Sequence, residues 1–536
     1  MDAERKTSQP SVRDLLDSYR DGAMSRRSLV QRLAAVGVTA QLAGFLATRP
    51  EAALAQSTPS TGAPSGELVV VLPRSLVALD PHGAQSVEEA TAVVSSHVLD
   101  TLIGRDPVTG ELVPRLATAW DATEPTTWTF LLREGVMFHD GTPFTSADVK
   151  ASLDRVIALE GPLAPLWAAV TAVETPDPMT VQIVTSEPVG TVPVSATLLF
   201  IGPAAQMTNE GFFNQPFGLG PYRFVSWTPD AELVMEANPD YWGGAPGLQR
   251  IVIRDIPETA ARVTALETGE VGFTYGLSAD QLPSLQENEE LTIASTPSYA
   301  YYFNWFNSQR APFTDVRVRQ AMAHALDVDA MVNDLLAGVG QRAQAPIPST
   351  VFGFEAQPPF AYDPERAREL LAEAGFPDGF QTTLQWNPGS GPQDRELVLT
   401  MIAYWDAIGV QVENLEKERA VWLEDLLALN WDMNFQTNTV RTGDADFTLR
   451  RLYVSTANRN GYANPELDTI LTSAAAASDQ SERETLYGQA CQIIWAEAVG
   501  IFPFELIENY VYRAGTEGFV PAPNAIPDFS TVTVAP

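Results

Sequence analysis

Two successive cycles of alternating strand and helix patterns constrain the fold of this chain more than any other feature of its sequence. The first cycle opens on the apolar stretch LVVVLP (68–73) and closes on the helical pattern TAARVTALETGEV (259–271). The second opens on the aromatic strand YAYYFNWFNSQ (299–309) and closes on the strand IFPFELIENYVYR (501–513). A chain of 536 residues is also too long for a single hydrophobic core. The sequence therefore predicts two α/β lobes.

Several elements can be placed from their periodicity and their end signals. Apolar residues recur at helical spacing over 316–338, which predicts one long helix. A second helix is predicted over 363–375, with Asp363 as its N-cap. The alternating pattern of 127–138 predicts a pair of strands that turns at 134–135.

The stretch REGVMFHDGTPFTSADVKASL places a histidine beside an aspartate and raises the question whether His139 and Asp140 begin an active site. The neighbouring residues favour a turn, because Gly141 tolerates the positive φ that a tight turn needs. Thr145 or Ser146 is then a candidate N-cap for the helix that follows. We therefore interpret His139-Asp140 as a change of chain direction and not as a catalytic pair.

The first 55 residues predict an export signal. Arg26 and Arg27 precede a weakly apolar run of about fifteen residues, which is shorter than the roughly 20 that a membrane-spanning helix needs. The order Ser-Arg-Arg-x-Leu resembles a signal for the twin-arginine export machinery, and Ala-Leu-Ala supplies the small side chains of a cleavage site. We expect cleavage between Ala55 and Gln56. An N-terminal amphipathic helix of the folded domain is the alternative.

Charge and residue content argue against several classes of function. The formal net charge is −34, so nucleic acid and an anionic membrane surface would be repelled. Cys491 is the single cysteine, so neither an internal disulfide nor a lipid anchor near the cleavage position is available. The four histidines are not spaced as zinc ligands, and no catalytic or nucleotide-binding motif is present. We expect a soluble periplasmic protein that is not an enzyme and has no metal site or cofactor.

Four stretches in a fixed order carry a resemblance to a known family. They are LDPHGAQSVEEATAVVSSHVLDTLIGRDPVTGELVPRLATAW (79–120), WTFLLREGVMFHDGTPFTSADVKASLDRV (128–156), GLGPYRFVSWTPDAELVMEANPDYWGGAP (218–246) and APFTDVRVRQAMAHALDVDAMV (311–332). Together with the helix YDPERARELLAEAGF they resemble the bacterial extracellular solute-binding proteins of family 5, the oligopeptide, dipeptide and nickel binding group. The match covers nearly all of residues 67–515.

The resemblance implies an α/β, two-lobed periplasmic-binding-protein fold of type II, with the extra lobe I subdomain of the peptide-binding group and two hinge crossings. Lobe I would comprise residues 67–295 and the C-terminal residues 505–536, and lobe II residues 296–504. A signal peptide (1–55) and a flexible lead-in (56–66) would precede them. The lobes would close on a ligand held between them.

The same resemblance implies the role of the protein. It would be a monomer that captures a peptide or a peptide-like small solute, one with an acidic group included, and delivers it to the permease and ATPase subunits of an ABC importer. A receptor for a non-peptide solute, acidic or sugar-like, is the main alternative. An exported hydrolase is the less favoured one.

The stretch NTVRTGDADFTLRRLY (438–453) is the most informative about the ligand. Family members usually have a D-P-D-like unit here that faces the cleft, and in this chain it is Asp444-Ala445-Asp446. Peptide-binding members typically place an aspartate three residues earlier, to pair with the α-ammonium of the peptide, where this chain has Arg441. A guanidinium suits a carboxylate or a phosphate instead. The alternative is that Arg441 pairs with Asp444 or Asp446 and contacts no ligand.

Aromatic, amide and loop residues near the expected cleft are further candidates for ligand contact. They are Trp386 and Asn387 at the end of TTLQWN, Asn304 and Trp305 in YYFNWFN, and Phe217, Leu219 and Gly220 in PFGLGPY. For each tryptophan, packing in the core explains the residue equally well.

Overall fold

A computed structural model describes residues 63–535, and the predicted cleavage position at Ala55 and Gln56 lies outside these residues. The strands are β1 (Glu67–Val71), β2 (Ile103–Arg105), β3 (Leu112–Pro114), β4 (Ala117–Glu124), β5 (Thr127–Leu132), β6 (Val170–Asp177), β7 (Thr180–Thr185), β8 (Tyr222–Thr228), β9 (Glu232–Ala237), β10 (Arg250–Arg254), β11 (Phe273–Thr274), β12 (Leu291–Phe306), β13 (Gly340–Arg342), β14 (Phe380–Trp386), β15 (Val410–Glu416), β16 (Met433–Thr439), β17 (Gly500–Arg513), β18 (Thr516–Glu517) and β19 (Thr533–Val534). The helices are α1 (Glu89–Val98), α2 (Ser146–Ala158), α3 (Val192–Ser195), α4 (Thr259–Glu267), α5 (Leu282–Gln286), α6 (Val316–His324), α7 (Val328–Leu335), α8 (Pro364–Glu373), α9 (Asp394–Asp406), α10 (Arg419–Leu427), α11 (Asp446–Tyr453), α12 (Pro465–Ala476) and α13 (Gln480–Ala496).

One mixed sheet runs through both lobes. Its strand order is β15-β14-β16-β12-β17-β11-β1-β10-β9-β8, and β13 pairs with β17 beside this path. Strands β14 and β15 are parallel, with α9 as the connection between them, as the β-α-β unit requires. We call the half of the molecule built on β1 and β8–β11 lobe I, and the half built on β14–β16 lobe II.

The two long antiparallel strands β12 and β17 carry the chain between the lobes. On the lobe I side, Leu291–Pro297 pairs with Ile507–Arg513, next to β11. On the lobe II side the pairing resumes at Tyr301 opposite Glu505, and β16 adds to the outer edge of β12. The register shifts between Pro297 and Tyr301, so the hydrogen-bonded ladder is interrupted where the lobes meet. The predicted two-lobed α/β fold with two crossings is confirmed.

Lobe I carries an additional four-stranded sheet with the order β4-β5-β7-β6. Helix α2 contacts β6 and β7, and this unit has a hydrophobic core of its own around Phe130, Leu153 and Ile183. The main sheet of lobe I has a separate core that includes Val70, Ile251 and other residues of β1 and β10. The extra layer closes one side of the space between the lobes.

Strand β12 is buried on both faces in lobe II, which explains its aromatic composition. Tyr302 and Phe306 point into the core formed with α6 and α9. The alternate residues Tyr301, Phe303 and Trp305 point into the opposite core, formed with α11–α13. A strand covered on both sides has no solvent-exposed face, so its sequence does not alternate between apolar and polar residues.

The local predictions have mixed outcomes. The helix at 363–375 is confirmed as α8, and the Asp363 carboxylate accepts a hydrogen bond from the Arg366 N–H at 2.9 Å. The single helix over 316–338 is wrong, because Asp327 accepts from the Ala330 N–H at 3.0 Å and starts α7 as a new helix. The strand pair at 127–138 is also wrong: β4 and β7 occupy both edges of β5, so the residues after Leu132 have no edge to join.

The turn at His139-Asp140 is confirmed. The Asp140 carboxylate accepts from the Thr142 N–H at 2.9 Å, and Gly141 has a φ of +85°. Thr145 caps α2, and its N–H donates to the Asp148 carboxylate at 2.8 Å. Burial lowers the pKa of His139 to about 4, so the imidazole is neutral at physiological pH and serves the fold.

Candidate functional site in the cleft between the lobes

A cavity of about 1370 Å³ lies between the two lobes. Lobe I contributes the start of α1, segments around α3, and residues near the C-terminus; lobe II contributes the loop after β14, the start of α10, the end of β16 and the start of α11. This is larger than the roughly 300–1,000 Å³ of common small-molecule sites. The cleft therefore accommodates a ligand of at least short-peptide size.

Arginine is concentrated on the lobe II wall of the cleft and glutamate on the lobe I wall. The lobe II wall presents the guanidinium groups of Arg419, Arg441, Arg450 and Arg451, together with the acidic side chains of Glu418, Asp444 and Asp446. The lobe I wall presents the carboxyl groups of Glu88, Glu89 and Glu508, with Arg74 beside them. Concentrated arginine is notable in a chain with 33 basic and 67 acidic residues. A ligand that carries both signs of charge would meet a complementary group on each side.

Arg441 lies two residues beyond the end of β16, where its side chain lines the cleft. Among residues 63–535 the structure gives this guanidinium neither an ion pair nor a hydrogen bond. Burial lowers its pKa, while the carboxylates of Glu89 and Glu88 across the cleft act in the opposite direction. Its planar set of donors is therefore available to a carboxylate from a ligand.

Asp444 and Asp446 also line the cleft, but their carboxylates are engaged within lobe II. Asp444 accepts from Arg483 Nη2 at 2.7 Å, in a pair whose side chains are both almost fully buried. Asp446 accepts from the Tyr487 hydroxyl at 3.1 Å and from Arg450 Nε at 3.1 Å. The alternative in which Arg441 pairs with either aspartate is therefore wrong. The Asp-Ala-Asp unit instead anchors the loop that carries Arg441.

The strand-end candidates divide between the core and the cleft. Trp386 is fully buried and donates from Nε1 to Asn414 at 2.7 Å, and Trp305 donates to the Tyr453 hydroxyl at 3.1 Å. Asn304 is likewise fully buried in β12. The prediction that these three side chains reach the cleft is wrong, because the sheet is covered on both faces. Asn387, one residue beyond Trp386, does line the cleft.

The loop PFGLGPY packs on the end of α1 and not on the cleft. Leu219 is buried in the core of the additional sheet, and Phe217 packs edge-on against Phe212. A Cβ on Gly220 would lie 2.2 Å from the carbonyl oxygen of His97, so glycine is required for contact with the protein's own backbone. The prediction that Phe217, Leu219 and Gly220 contact a ligand does not agree with this placement.

The acidic residues of the lobe I wall are not recognisable as cleft residues from the sequence. Glu88 and Glu89 were indistinguishable from ordinary surface acids in so acidic a chain, yet they stand at the start of α1 and face the cleft. The Tyr275 hydroxyl donates to Glu89, and burial raises the pKa of this carboxyl. Glu508 is a residue of β17, and no neighbouring residue in the sequence indicates that its side chain lines the cleft. Only the packing of distant segments brings these carboxylates together.

A second cavity of about 350 Å³ lies in lobe I behind the main cleft. The two cavities share Val87, Arg441, Thr442, Pro523 and Asn524 as lining residues. Arg441 therefore stands on the wall between them, and a ligand group that passes this side chain would enter lobe I.

Direct contacts hold the lobes together around the cleft. Arg105 of lobe I donates from Nη2 to the carbonyl oxygen of Thr442 in lobe II at 2.8 Å. The Gly190 N–H, next to α3, donates to the carbonyl oxygen of Ala475 at the end of α12 at 2.7 Å. The two lobes are therefore in direct contact beside the cleft.

Neither a group of three or more side chains suited to hold a metal ion nor a helix long and apolar enough to cross a membrane occurs between residues 63 and 535.

Two lobes on one hinged sheet, with a large charged cleft between them, define a receptor that closes on a small solute. The chain belongs to the bacterial extracellular solute-binding proteins, family 5, whose profile matches residues 111–460. It is the substrate-binding component of an ABC importer, the role of this family.

Similar proteins agree with this assignment. The glutathione-binding protein GsiB of Pectobacterium atrosepticum is 31% identical over 457 residues, which cover 81% of this chain and 88% of that protein. The structure of HbpA2 from Haemophilus parasuis is similar with a TM-score of 0.80, at 25% identity, over 88% of this chain and 100% of the other. A dipeptide-binding protein from Pseudoalteromonas in complex with Met-Leu matches over 88% of this chain and 100% of the other, with a TM-score of 0.72 and 24% identity.

Proposed function

We propose that this receptor captures glutathione or a closely related acidic peptide. The observation that carries the proposal is the guanidinium of Arg441, which has neither an ion pair nor a hydrogen bond within residues 63–535 and stands on a wall rich in arginine, opposite a wall rich in glutamate. Glutathione has one α-ammonium and two carboxylates at neutral pH, so it matches this distribution of charge. The similarity to glutathione-binding GsiB proteins supports the same ligand.

A simple dipeptide is less well matched. By the resemblance to the family, peptide-binding members typically have an aspartate at the position of Arg441, and this aspartate pairs with the ammonium of the peptide. With arginine there, that position repels an ammonium and attracts a carboxylate. A peptide with an additional carboxylate can pair with more than one guanidinium group of the cleft. A simple dipeptide has only one carboxylate that can do so.

The proposed cycle uses the hinge. The lobes, with boundaries at residues 295/296 and 504/505, close on the ligand, and the closed form is handed to the permease and ATPase subunits. The interruption of the ladder between Pro297 and Tyr301 supports this position of the hinge. Cleavage between Ala55 and Gln56 after twin-arginine export, a periplasmic location and a monomeric state belong to the same proposal.

Calorimetric titration of the chain that starts at Gln56 tests the ligand. Reduced glutathione is expected to bind with a Kd of about 1 μM or tighter, since roughly −8 kcal/mol is within reach of several charged contacts. Glutathione with its glycine carboxylate converted to an amide is the matched control, and it should bind at least about tenfold more weakly. Equal affinity for acid and amide, or binding of a non-peptide acid in preference to both, would contradict the proposal. Native mass spectrometry of protein purified from its own periplasm provides an independent identification of the ligand.

Gly190→Ala is expected to weaken glutathione binding without unfolding the protein. A Cβ on Gly190 would lie 1.7 Å from the carbonyl oxygen of Ala477, so the closed contact between the lobes cannot form unchanged. Such overlap costs about 1–3 kcal/mol, which corresponds to a loss of affinity of about 5- to 150-fold. Gly488→Ala is the matched control, because its Cβ would meet Glu355 at an ordinary 3.4 Å. Titration of both variants decides, and equal affinities would show that the Gly190 contact does not contribute to closure.

A further inference from the structure

We propose that Glu508 on lobe I binds the ammonium group of the ligand, with Glu89 beside it, and so fixes which end of the ligand faces each lobe. The inference rests on the proposed function in one respect, namely that the ligand is a peptide with an ammonium group.

The position of Glu508 supports this role. It lies on β17 just beyond the crossing between the lobes, and its side chain lines the cleft. The Gly276 N–H donates to Oε1 at 3.1 Å and holds the carboxyl in place. Within residues 63–535 no lysine, arginine or histidine forms an ion pair with Glu508. A carboxyl group that is anchored, faces a ligand cleft and has no cationic partner is a suitable acceptor for an ammonium.

The surroundings of Glu508 differ from those of the neighbouring carboxylate. Glu89 accepts from the Tyr275 hydroxyl and is influenced by Arg441 and Arg74. Burial and the nearby Glu89 raise the pKa of Glu508 to about 8. A carboxyl in this state carries a proton near neutral pH in the empty cleft, and a bound ammonium would replace that proton.

The groups that face Glu508 come from several elements. Glu89 belongs to α1, and Tyr275 follows β11; Tyr510 is on β17 itself and donates to the carbonyl oxygen of Ala522 at 2.6 Å. Burial raises the pKa of both tyrosines well above its ordinary value, so neither loses a proton in the physiological range. The proton released on binding therefore comes from the pair Glu508 and Glu89, and mainly from Glu508.

The positive charge of Arg441 also favours an ammonium site on lobe I. If this guanidinium takes a carboxylate of the ligand, the ammonium must find its partner elsewhere, because like charges repel at short range. Glu88 and Glu89 already interact electrostatically with Arg441, because their negative charges act to raise its pKa. Glu508, on the same wall, is held by the Gly276 N–H and forms no ion pair within residues 63–535. The ammonium end of the ligand is thus directed to lobe I and its carboxylates to lobe II.

The test is calorimetric titration at pH 7 in two buffers of different ionisation enthalpy, which counts released protons. The ligands are glutathione and glutaryl-cysteinylglycine, which is glutathione without its α-ammonium. We expect the unmodified protein to release about 0.9 proton per glutathione bound, given a pKa near 8, and to bind the ammonium-free ligand at least about tenfold more weakly. Glu508→Gln should abolish the proton release and bind the two ligands with affinities within about threefold of each other. Glu517→Gln, an exposed residue of β18, is the matched control and should behave as the unmodified protein does.

Thermal unfolding without ligand checks that Glu508→Gln folds. Because the folded-state pKa is raised, the contribution of Glu508 to stability is present below its ordinary pKa and is lost as the pH rises through about 8. Glutamine resembles the protonated form, so the variant should melt with the unmodified protein at pH 4.5 and above it at pH 9. A variant that melts lower at both values has a damaged fold, and Glu508→Asp then takes its place in the titration.

The outcomes separate this inference from the proposed function. If glutathione does not bind, the proposed ligand is wrong, and the same titrations with Met-Leu and N-acetyl-Met-Leu test the ammonium site. If a peptide binds and Glu508→Gln still releases the same number of protons, or still discriminates against the ammonium-free ligand, Glu508 is not the partner of the ammonium. The inference is also overturned if none of these peptides binds.

Discussion

Arg441→Ala is expected to weaken glutathione binding about 30- to 150-fold. A charge-assisted, two-donor contact with a carboxylate in a partly buried cleft contributes about 2–3 kcal/mol. No neighbouring side chain of the described chain pairs with this guanidinium, so its removal leaves no unsatisfied partner within the protein. The full loss should therefore appear in the affinity, while the melting temperature of the empty protein changes little.

Two further variants serve as controls for Arg441→Ala. Arg441→Lys keeps the charge but loses the paired donors, so it should fall between the unmodified protein and Arg441→Ala. Arg366→Ala removes an arginine on the exposed surface of α8 and should leave the affinity unchanged. If Arg441→Ala binds glutathione as tightly as Arg366→Ala does, Arg441 does not contact the ligand.

Arg483→Met is expected to have the largest effect on stability. Its guanidinium donates to both carboxylate oxygens of Asp444, at 2.7 and 2.9 Å, and lies over the ring of Phe352. Removal of one partner leaves a buried charge without compensation, which costs about 3–5 kcal/mol. The loss should appear as a lower urea midpoint, followed by the fluorescence of buried tryptophans in lobe II such as Trp431.

The double variant Asp444→Asn with Arg483→Met is the decisive control. When both charges are absent no uncompensated carboxylate remains, so more than half of the lost stability should return. If the double variant is less stable than Arg483→Met alone, the packing of the arginine over Phe352, and not the ion pair, accounts for its contribution.

Features set by neighbouring residues were predictable from the sequence. The turn at Asp140-Gly141 and the cap at Asp363 depend on residues within a few positions of each other, and both appear as predicted. The long helix pattern at 316–338 failed for a local reason that competes with periodicity, since Asp327 caps a new helix in its middle. Periodicity shows which residues are apolar, but it does not exclude a cap between two apolar turns.

The cleft was predictable only in part. Arg441 stood out because it reverses the charge expected from the family, and the structure places it on the cleft wall. Trp386 and Asn387 are adjacent in sequence, yet one is in the core and the other faces the cleft. Which of two neighbours is exposed depends on layers packed above and below the sheet, and these come from distant segments. The same holds for Glu89 and Glu508, which are more than four hundred residues apart.

The position of β17 in the central sheet has a consequence for biosynthesis. This strand lies between β12 and β11 and joins the two halves of the sheet, yet it is the last long strand to leave the ribosome. Until residues 500–513 emerge, the strands of the growing chain form two separate sheets, each with an open edge. A nascent chain that stops before β17 would therefore expose two surfaces prone to aggregation and could not yield a smaller working receptor. Synthesis must therefore pass residue 513 before either lobe has its full sheet.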